Sequence, residues 1–111
     1  MLLLGIDIGT SSIKASVVDS ETKQVVASAQ YPDTENTISS PQPDWAEQEP
    51  ETWWEHTKQV IKRVNASGKY NPKDIVSIGI SYQMHGLVMV DEAQKVLRPS
   101  IIWCDSRAVE I

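Results

Sequence analysis

Ten residues near the start of the chain constrain it most: Gly5-Ile6-Asp7-Ile8-Gly9-Thr10-Ser11-Ser12-Ile13-Lys14. An apolar run, Leu2 to Ile6, leads in and predicts a buried strand. An acidic residue, a glycine and three hydroxyls follow closely, with a cation just after. Gly9 lets the backbone turn tightly and come close to a ligand. Thr10, Ser11 and Ser12 offer O–H and N–H groups to phosphate oxygens, as anion-binding backbone nests do. Asp7 can hold a hydrated Mg²⁺, a hard cation that favours carboxylate and water. Lys14 adds positive charge near the same phosphates. The stretch reads as a phosphate-binding hairpin; an ordinary turn between two strands shares its composition and stays open. It is neither a Walker A loop nor G-x-G-x-x-G, whose glycine spacings are absent.

Ile13 to Val18 and Val25 to Ala29 read as two further strands joined by the polar turn Asp19 to Lys23, an antiparallel meander. Tyr31 to Glu49 carries Pro32, Pro41 and Pro43 among polar residues and reads as a long loop. Within it Trp45-Ala46-Glu47-Gln48 is expected only to pack the loop onto the body. Pro50 suits a first helical position, and Glu51, Glu55, Lys58, Lys62 and Arg63 complement the dipole of the helix that follows. Trp53, Trp54, Thr57, Val60, Ile61 and Val64 make its apolar face, and Gly68 is the expected stop. His56 lies off that face and reads as a solvated helix residue. Ile75 to Ser81 is a strand after a helix, so a crossover and parallel pairing beside the first strand are expected. Gly79 within it permits close backbone approach. Leu87 to Val90 and Val96 to Leu97 suggest a hairpin, and Ser100 to Trp103 a short strand. A helix is expected from Asp105 or Ser106. The class is α/β, and the stop at Ile111 soon afterwards is what a truncated chain looks like.

Two more clusters carry chemistry. Gln83, Met84 and His85 follow the crossover strand, and ligands bind beyond such strand ends in open α/β sheets. Their mixed donors, acceptors and apolar surface suit a polyhydroxylated ligand; a satisfied strand-to-loop connection is the plainer reading. Trp103 can stack on the C–H face of a sugar, and Asp105 can accept from hydroxyls. The plainer reading there is a helix N-cap at Asp105 with a surface Arg107. His85 has no second His or Cys at ligand spacing, so a metal role is weak. Cys104, the single cysteine, reads as a small buried hydrophobe. It cannot form an internal disulfide, which fits a reducing, cytoplasmic setting. The net charge of −5 argues against an electrostatic nucleic-acid binder, so an anion such as ATP needs locally focused positive charge. Leu2-Leu3-Leu4 is too short for a signal or membrane span.

Four segments in order are specific together: Gly-Ile-Asp-Ile-Gly-Thr-Ser-Ser-Ile-Lys, Trp-Ala-Glu-Gln-Glu-Pro-Glu-Thr-Trp-Trp, Gln-Met-His-Gly and Arg-Pro-Ser-Ile-Ile-Trp-Cys-Asp-Ser-Arg-Ala. Across essentially its whole length the chain resembles the FGGY carbohydrate kinases. The resemblance implies an actin-like, ribonuclease-H-like fold in two lobes, with residues 1–111 as the N-terminal part of the first. It implies ATP- and Mg²⁺-dependent phosphorylation of a ketopentose, D-xylulose, at its terminal hydroxyl. By position, Asp7 would help place the metal, and Gly9, Thr10, Ser11, Ser12 and Lys14 would line the ATP phosphates. Gln83, Met84 and His85 would contact the sugar, walled by Trp103 and Asp105. Thr10 and Lys14 are therefore expected to serve ATP and His85 the sugar. Glycerol-specific members carry Gln-Arg-Glu where this chain has Gln83-Met84-His85, which counts against glycerol; ribulose and gluconate stay open. The general-base aspartate is expected beyond Ile111, so no catalytic base lies within the chain and the segment alone is expected to be inactive. The expected partner is a small sugar, with no nucleic acid and no membrane, and a homodimer is one state open to the whole protein. A non-catalytic actin-like nucleotide-binding module is the rival reading.

Overall fold

In the computed structural model, which describes residues 1–109, the elements follow the expected order. They are β1 (Leu2–Ile8), β2 (Ile13–Asp19), β3 (Gln24–Tyr31), β4 (Glu47–Gln48), α1 (Pro50–Asn65), a 3₁₀ turn (Pro72–Asp74), β5 (Ile75–Tyr82) and β6 (Ser100–Ile101). The meander β1-β2-β3 is antiparallel, and β5 joins β1 in parallel, giving the order β3-β2-β1-β5. The mixed sheet with a crossover helix is thus present.

Side chains alternate between the faces of the sheet. Leu4 and Ile6 of β1, Ile13, Ala15 and Val17 of β2 and Ala27 of β3 point to one face and are buried with Val60 and Val64 of α1. Gly5, Asp7 and Lys14 point the other way and are exposed. So β1 is covered on one face only, and is two residues longer than the apolar run alone suggests. Each large aliphatic side chain on the buried face contributes about 1.5–3 kcal/mol through removal from water.

Helix α1 opens at Pro50, has Glu51 in its first turn and Lys62 and Arg63 in its last. Its buried stripe is narrower than its apolar pattern. Trp54 is 57% exposed, with the Lys58 ammonium 5.7 Å from its ring centroid. The helix ends at Asn65, and Gly68 turns the chain at φ +70°, a conformation that suits glycine. α1 lies over β3 and β2 and touches β1 only at its margin. Val76, Ile78 and Ile80 of β5 are therefore exposed, although the strand pairs as expected.

The excursion before α1 is more ordered than a loop. Glu47 and Gln48 of β4 pair antiparallel with Ile101 and Ser100 of β6, and Ser39 and Leu87 extend this small sheet on its two sides. Ala46, Glu47, Gln48, Ser100 and Ile102 are buried there. The hairpin at Leu87–Leu97 forms through the Val90–Val96 pair. Cys104 is exposed, not buried, because the turn after Ile102 carries it outward. No helix has formed by Val109, where the chain makes hydrogen-bonded turns; the remainder of the expected helix lies outside the described residues.

Candidate functional site

Parallel pairing fixes the location of the site. β1 and β5 run in the same direction, in the register Asp7–Ser81 and Ile8–Tyr82, so their C-terminal ends emerge side by side. The Gln83 N–H donates to the Ile8 carbonyl at 2.9 Å and continues the ladder past the strand ends. A groove of about 320 Å³ opens there, lined by Asp7, Gly9, Thr10, Tyr82, Gln83, Met84 and Trp103. It brings Asp7, Gly9 and Thr10 of the hairpin together with Gln83, Met84 and Trp103 of the later clusters, but not His85 or Asp105.

A closed ring of hydrogen bonds underlies the groove. The Thr10 hydroxyl donates to Gln83 Oε1 at 3.0 Å. Gln83 Nε2 donates to Gln48 Oε1 at 3.1 Å. Gln48 Nε2 donates to the Thr10 carbonyl at 2.8 Å. Two indoles join from outside: Trp53 Nε1 donates to Gln48 Oε1 at 3.0 Å, and Trp103 Nε1 to Thr10 Oγ1 at 2.8 Å. An indole N–H only donates and a main-chain carbonyl only accepts, so both amide orientations and the hydroxyl proton are fixed. The Thr10 O–H, expected to face a phosphate, donates here to Gln83. Gln83 likewise spends one N–H and one lone pair internally.

The other hairpin residues are arranged around that ring. At Gly9 an added Cβ would stand 2.8 Å from the Ser12 carbonyl oxygen, so only glycine fits without a backbone shift. The Gly9 N–H donates to that same oxygen at 3.1 Å, closing the hairpin turn. Ser11 is exposed and Ser12 half-buried; the Ser11 carbonyl accepts from Asn36 N–H at 2.7 Å. Asp7 is exposed and accepts from the Ser81 hydroxyl at 3.2 Å. Lys14 pairs with Asp7 in the β1–β2 register, and both line a second hollow of about 560 Å³ floored by Gly5 and Gly79. No group of three acidic, His or Cys side chains gathers among the described residues. A Mg²⁺ held mainly by water and phosphate needs only one or two carboxylates, and Asp7 fits that donor set.

Met84 lines the groove and is exposed; His85, the next residue, is exposed but is not among the groove's lining residues. His85 takes a left-handed backbone, φ +63°, uncommon outside glycine, as Lys23, Asp44 and Gln94 do in other turns of the chain. Trp103 is 56% exposed and presents a ring face while its N–H is held by Thr10.

Asp105 stands apart from the open wall. Its side chain is 3% exposed. It accepts from the Ala46 N–H at 2.7 Å and from the Arg107 N–H and guanidinium at 2.7–3.0 Å. The Arg107 guanidinium holds this carboxyl well below the usual carboxylate range, backed by the two backbone N–H groups. Arg107 is no surface residue: it is 16% exposed, lies 3.8 Å over the Trp45 ring centroid, and reaches Glu47 at 2.9 Å, where Arg98 also binds. Hydrogen bonding to Asp105 and Glu47 keeps it charged. The sequence did not single out Gln48, Glu47 or Arg98 for the site. The available signal was polar Glu47-Gln48 directly after Trp45-Ala46, a poor composition for a segment that merely packs.

Residues 2–111 match the N-terminal domain of the FGGY family of carbohydrate kinases. The chain belongs to this family. It is 36% identical to the xylulose kinase of Escherichia coli strain K12, over 98% of this chain and 21% of that protein. Its backbone is similar to the crystal structure of a xyloylose kinase from Brucella ovis, with TM-score 0.87 and 37% identity, covering 96% of this chain and 22% of that one. It is also similar to xylulose kinase from Rhodospirillum rubrum, with TM-score 0.85 and 32% identity, covering 99% and 22%. The fold of this FGGY chain is the actin-like, ribonuclease-H-like α/β fold, seen here as a partial domain. The chain spans about a fifth of the length of the relatives it matches. No helix among the described residues is long and apolar enough to cross a membrane.

Proposed function

We propose that residues 1–111 are the N-terminal part of the first lobe of an ATP-dependent sugar kinase. The whole protein, in this reading, acts in the cytoplasm and converts D-xylulose to D-xylulose 5-phosphate. One observation carries the proposal: a single groove holds Asp7, Gly9 and Thr10 on one side and Gln83, Met84 and Trp103 on the other. Phosphoryl transfer depends mainly on positioning and on charge stabilisation; the groove offers the positioning, and Asp7 would hold the cation that offers the charge. The xylulose kinases among the relatives support the choice of sugar.

Bound Mg²⁺-ATP supplies the phosphoryl group and neutralises charge developing on it. Asp7 places the ion. Ser11, Ser12 and the turn backbone line the phosphates, with Lys14 adding positive charge behind Asp7. Gly9 contributes by having no side chain. Met84 and His85 contact the sugar, whose C–H face stacks on Trp103. Thr10 and Gln83 hold these two halves together through the ring. Asp105 serves the wall from behind, bonding Ala46 and Arg107 so that the turn carrying Trp103 is fixed.

The test is ADP release by the full-length protein with D-xylulose, D-ribulose, gluconate and glycerol, each varied separately. D-Xylulose is expected to have the highest kcat/KM. Turnover of another sugar in its place, or none of any, overturns the proposal.

A further inference from the structure

We propose that Gln48 is a positioning residue that couples the phosphate side of the groove to the sugar side. This rests on the kinase reading for its kinetic consequences; the coupling itself is structural. Gln48 does not line the groove: it is 3% exposed, on the two-residue strand β4, and only borders a separate hollow of about 290 Å³. Yet its carboxamide binds three separate elements. Its Nε2 holds the carbonyl of Thr10 in the hairpin. Its Oε1 holds Gln83 at the end of β5 and Trp53 in the first turns of α1.

A side chain that only filled space would not need this polarity. Burying an amide is costly unless its groups are bonded, and here the carbonyl oxygen has two donors and the NH₂ group one acceptor. Each bond also has a fixed direction. Trp53 can only donate, so Oε1 must face it; Nε2 then faces the Thr10 carbonyl, which can only accept. Gln83 must in turn present its NH₂ to Gln48 and its oxygen to Thr10. That choice sends the Thr10 proton to Gln83 and leaves a Thr10 lone pair for Trp103. Gln48 therefore sets the spacing between Thr10 and Gln83. It also sets, through them, where the exposed Trp103 ring stands.

Two substitutions separate the contributions. Gln48→Glu keeps the shape and the acceptor for Trp53 and Gln83, but turns an oxygen on the Thr10 carbonyl. Gln48→Leu removes every polar contact at similar size. In the full-length protein, Gln48→Glu is expected to raise KM for ATP about 2- to 10-fold with sugar KM changed less than about twofold, the equivalent of one hydrogen bond. Gln48→Leu is expected to raise both. A role in packing alone predicts a lower melting temperature for both variants with both KM values unchanged, and that result overturns the proposal.

A second measurement does not depend on activity. With 5-fluorotryptophan incorporated and signals assigned by Trp53→Phe and Trp103→Phe, Gln48→Leu should move both the Trp53 and the Trp103 resonances. Trp103 shares no hydrogen bond with Gln48 and is linked to it through Thr10, so its movement reports transmission by the ring. Movement of Trp53 with Trp103 unchanged overturns the coupling even where the enzyme is active. Movement of both in a protein with no kinase activity sinks the kinase reading and upholds the coupling.

Discussion

Trp103 Nε1 donates to Thr10 Oγ1 at 2.8 Å, joining residues 93 positions apart in the chain. The same hydroxyl passes its proton to Gln83 Oε1. One threonine thus ties the Gly9–Ser12 turn to both Gln83 and Trp103. Position alone suggests a role toward ATP only; under the proposed function these partners extend it to both substrates. Thr10→Val, which keeps the shape and removes the hydroxyl, is expected to raise KM for ATP and for the sugar by about 2- to 10-fold each, from bonds worth about 0.5–1.5 kcal/mol. Thr10→Ser should stay near the starting values. Steady-state kinetics on the full-length protein decide it; an effect on ATP alone contradicts the network.

Asp7→Asn is expected to lower turnover far more than stability. Asp7 is exposed and its one side-chain hydrogen bond comes from Ser81, which asparagine can still satisfy. The charge that attracts Mg²⁺ is lost, so activity should recover partly at raised Mg²⁺. Near-normal turnover with a melting temperature several degrees lower identifies Asp7 as a structural brace.

Gly9→Ala forces a Cβ against the Ser12 carbonyl oxygen, a backbone atom that cannot swing aside. The turn must open, and the Gly9–Ser12 hydrogen bond lengthens. Expected are a lower melting temperature and a raised KM for ATP, with little change in KM for the sugar. Unchanged ATP dependence shows that the turn does not touch the phosphates.

His85 needs a paired test because of its left-handed backbone. Asparagine tolerates that conformation better than alanine does. His85→Asn should therefore raise sugar KM without much loss of melting temperature, whereas His85→Ala should lose both. If His85→Asn alters only the ATP dependence, the two sides of the groove are assigned the wrong way round.

The Asp105–Arg107 clamp has a pH signature. Its carboxyl is depressed in the folded state, so the unfolded chain binds the proton more readily near the ordinary value of about 3.9. The clamp's contribution is fully present above that value and is lost as pH falls through the folded one. Asp105→Asn is expected to lower the melting temperature at neutral pH, with the gap from the unsubstituted protein closing below about pH 4. Thermal melts across that range check it. A gap that stays constant with pH shows that the charge of Asp105 is not what holds Ala46 and Arg107 together.

The sequence alone was enough for the sheet and the helix. The apolar run Leu2–Ile6, the strand pattern Ile13–Val18, the Pro50 start and the short polar turns are local signals, and the strands run one or two residues beyond them, to Ile8 and Asp19. It was also enough to single out Asp7, Gly9, Gln83 and Met84, which the fold brings to one groove, because turn chemistry and strand ends have local signatures. Tertiary structure decided what those residues bond to. Gln48 pairs with Ser100 on a two-residue strand too short for any periodicity to reveal. Asp105 lies next to Ala46 only because β4 and β6 meet, which turned an apparent helix cap into a buried clamp. Cys104 and Trp54 are apolar enough for a core, but their exposure depends on where a turn and a helix edge fall. The direction of each proton in the Thr10–Gln83–Gln48 ring follows from two indoles at its rim, and only the folded chain brings donors and acceptors from such distant positions to 2.8–3.1 Å of one another.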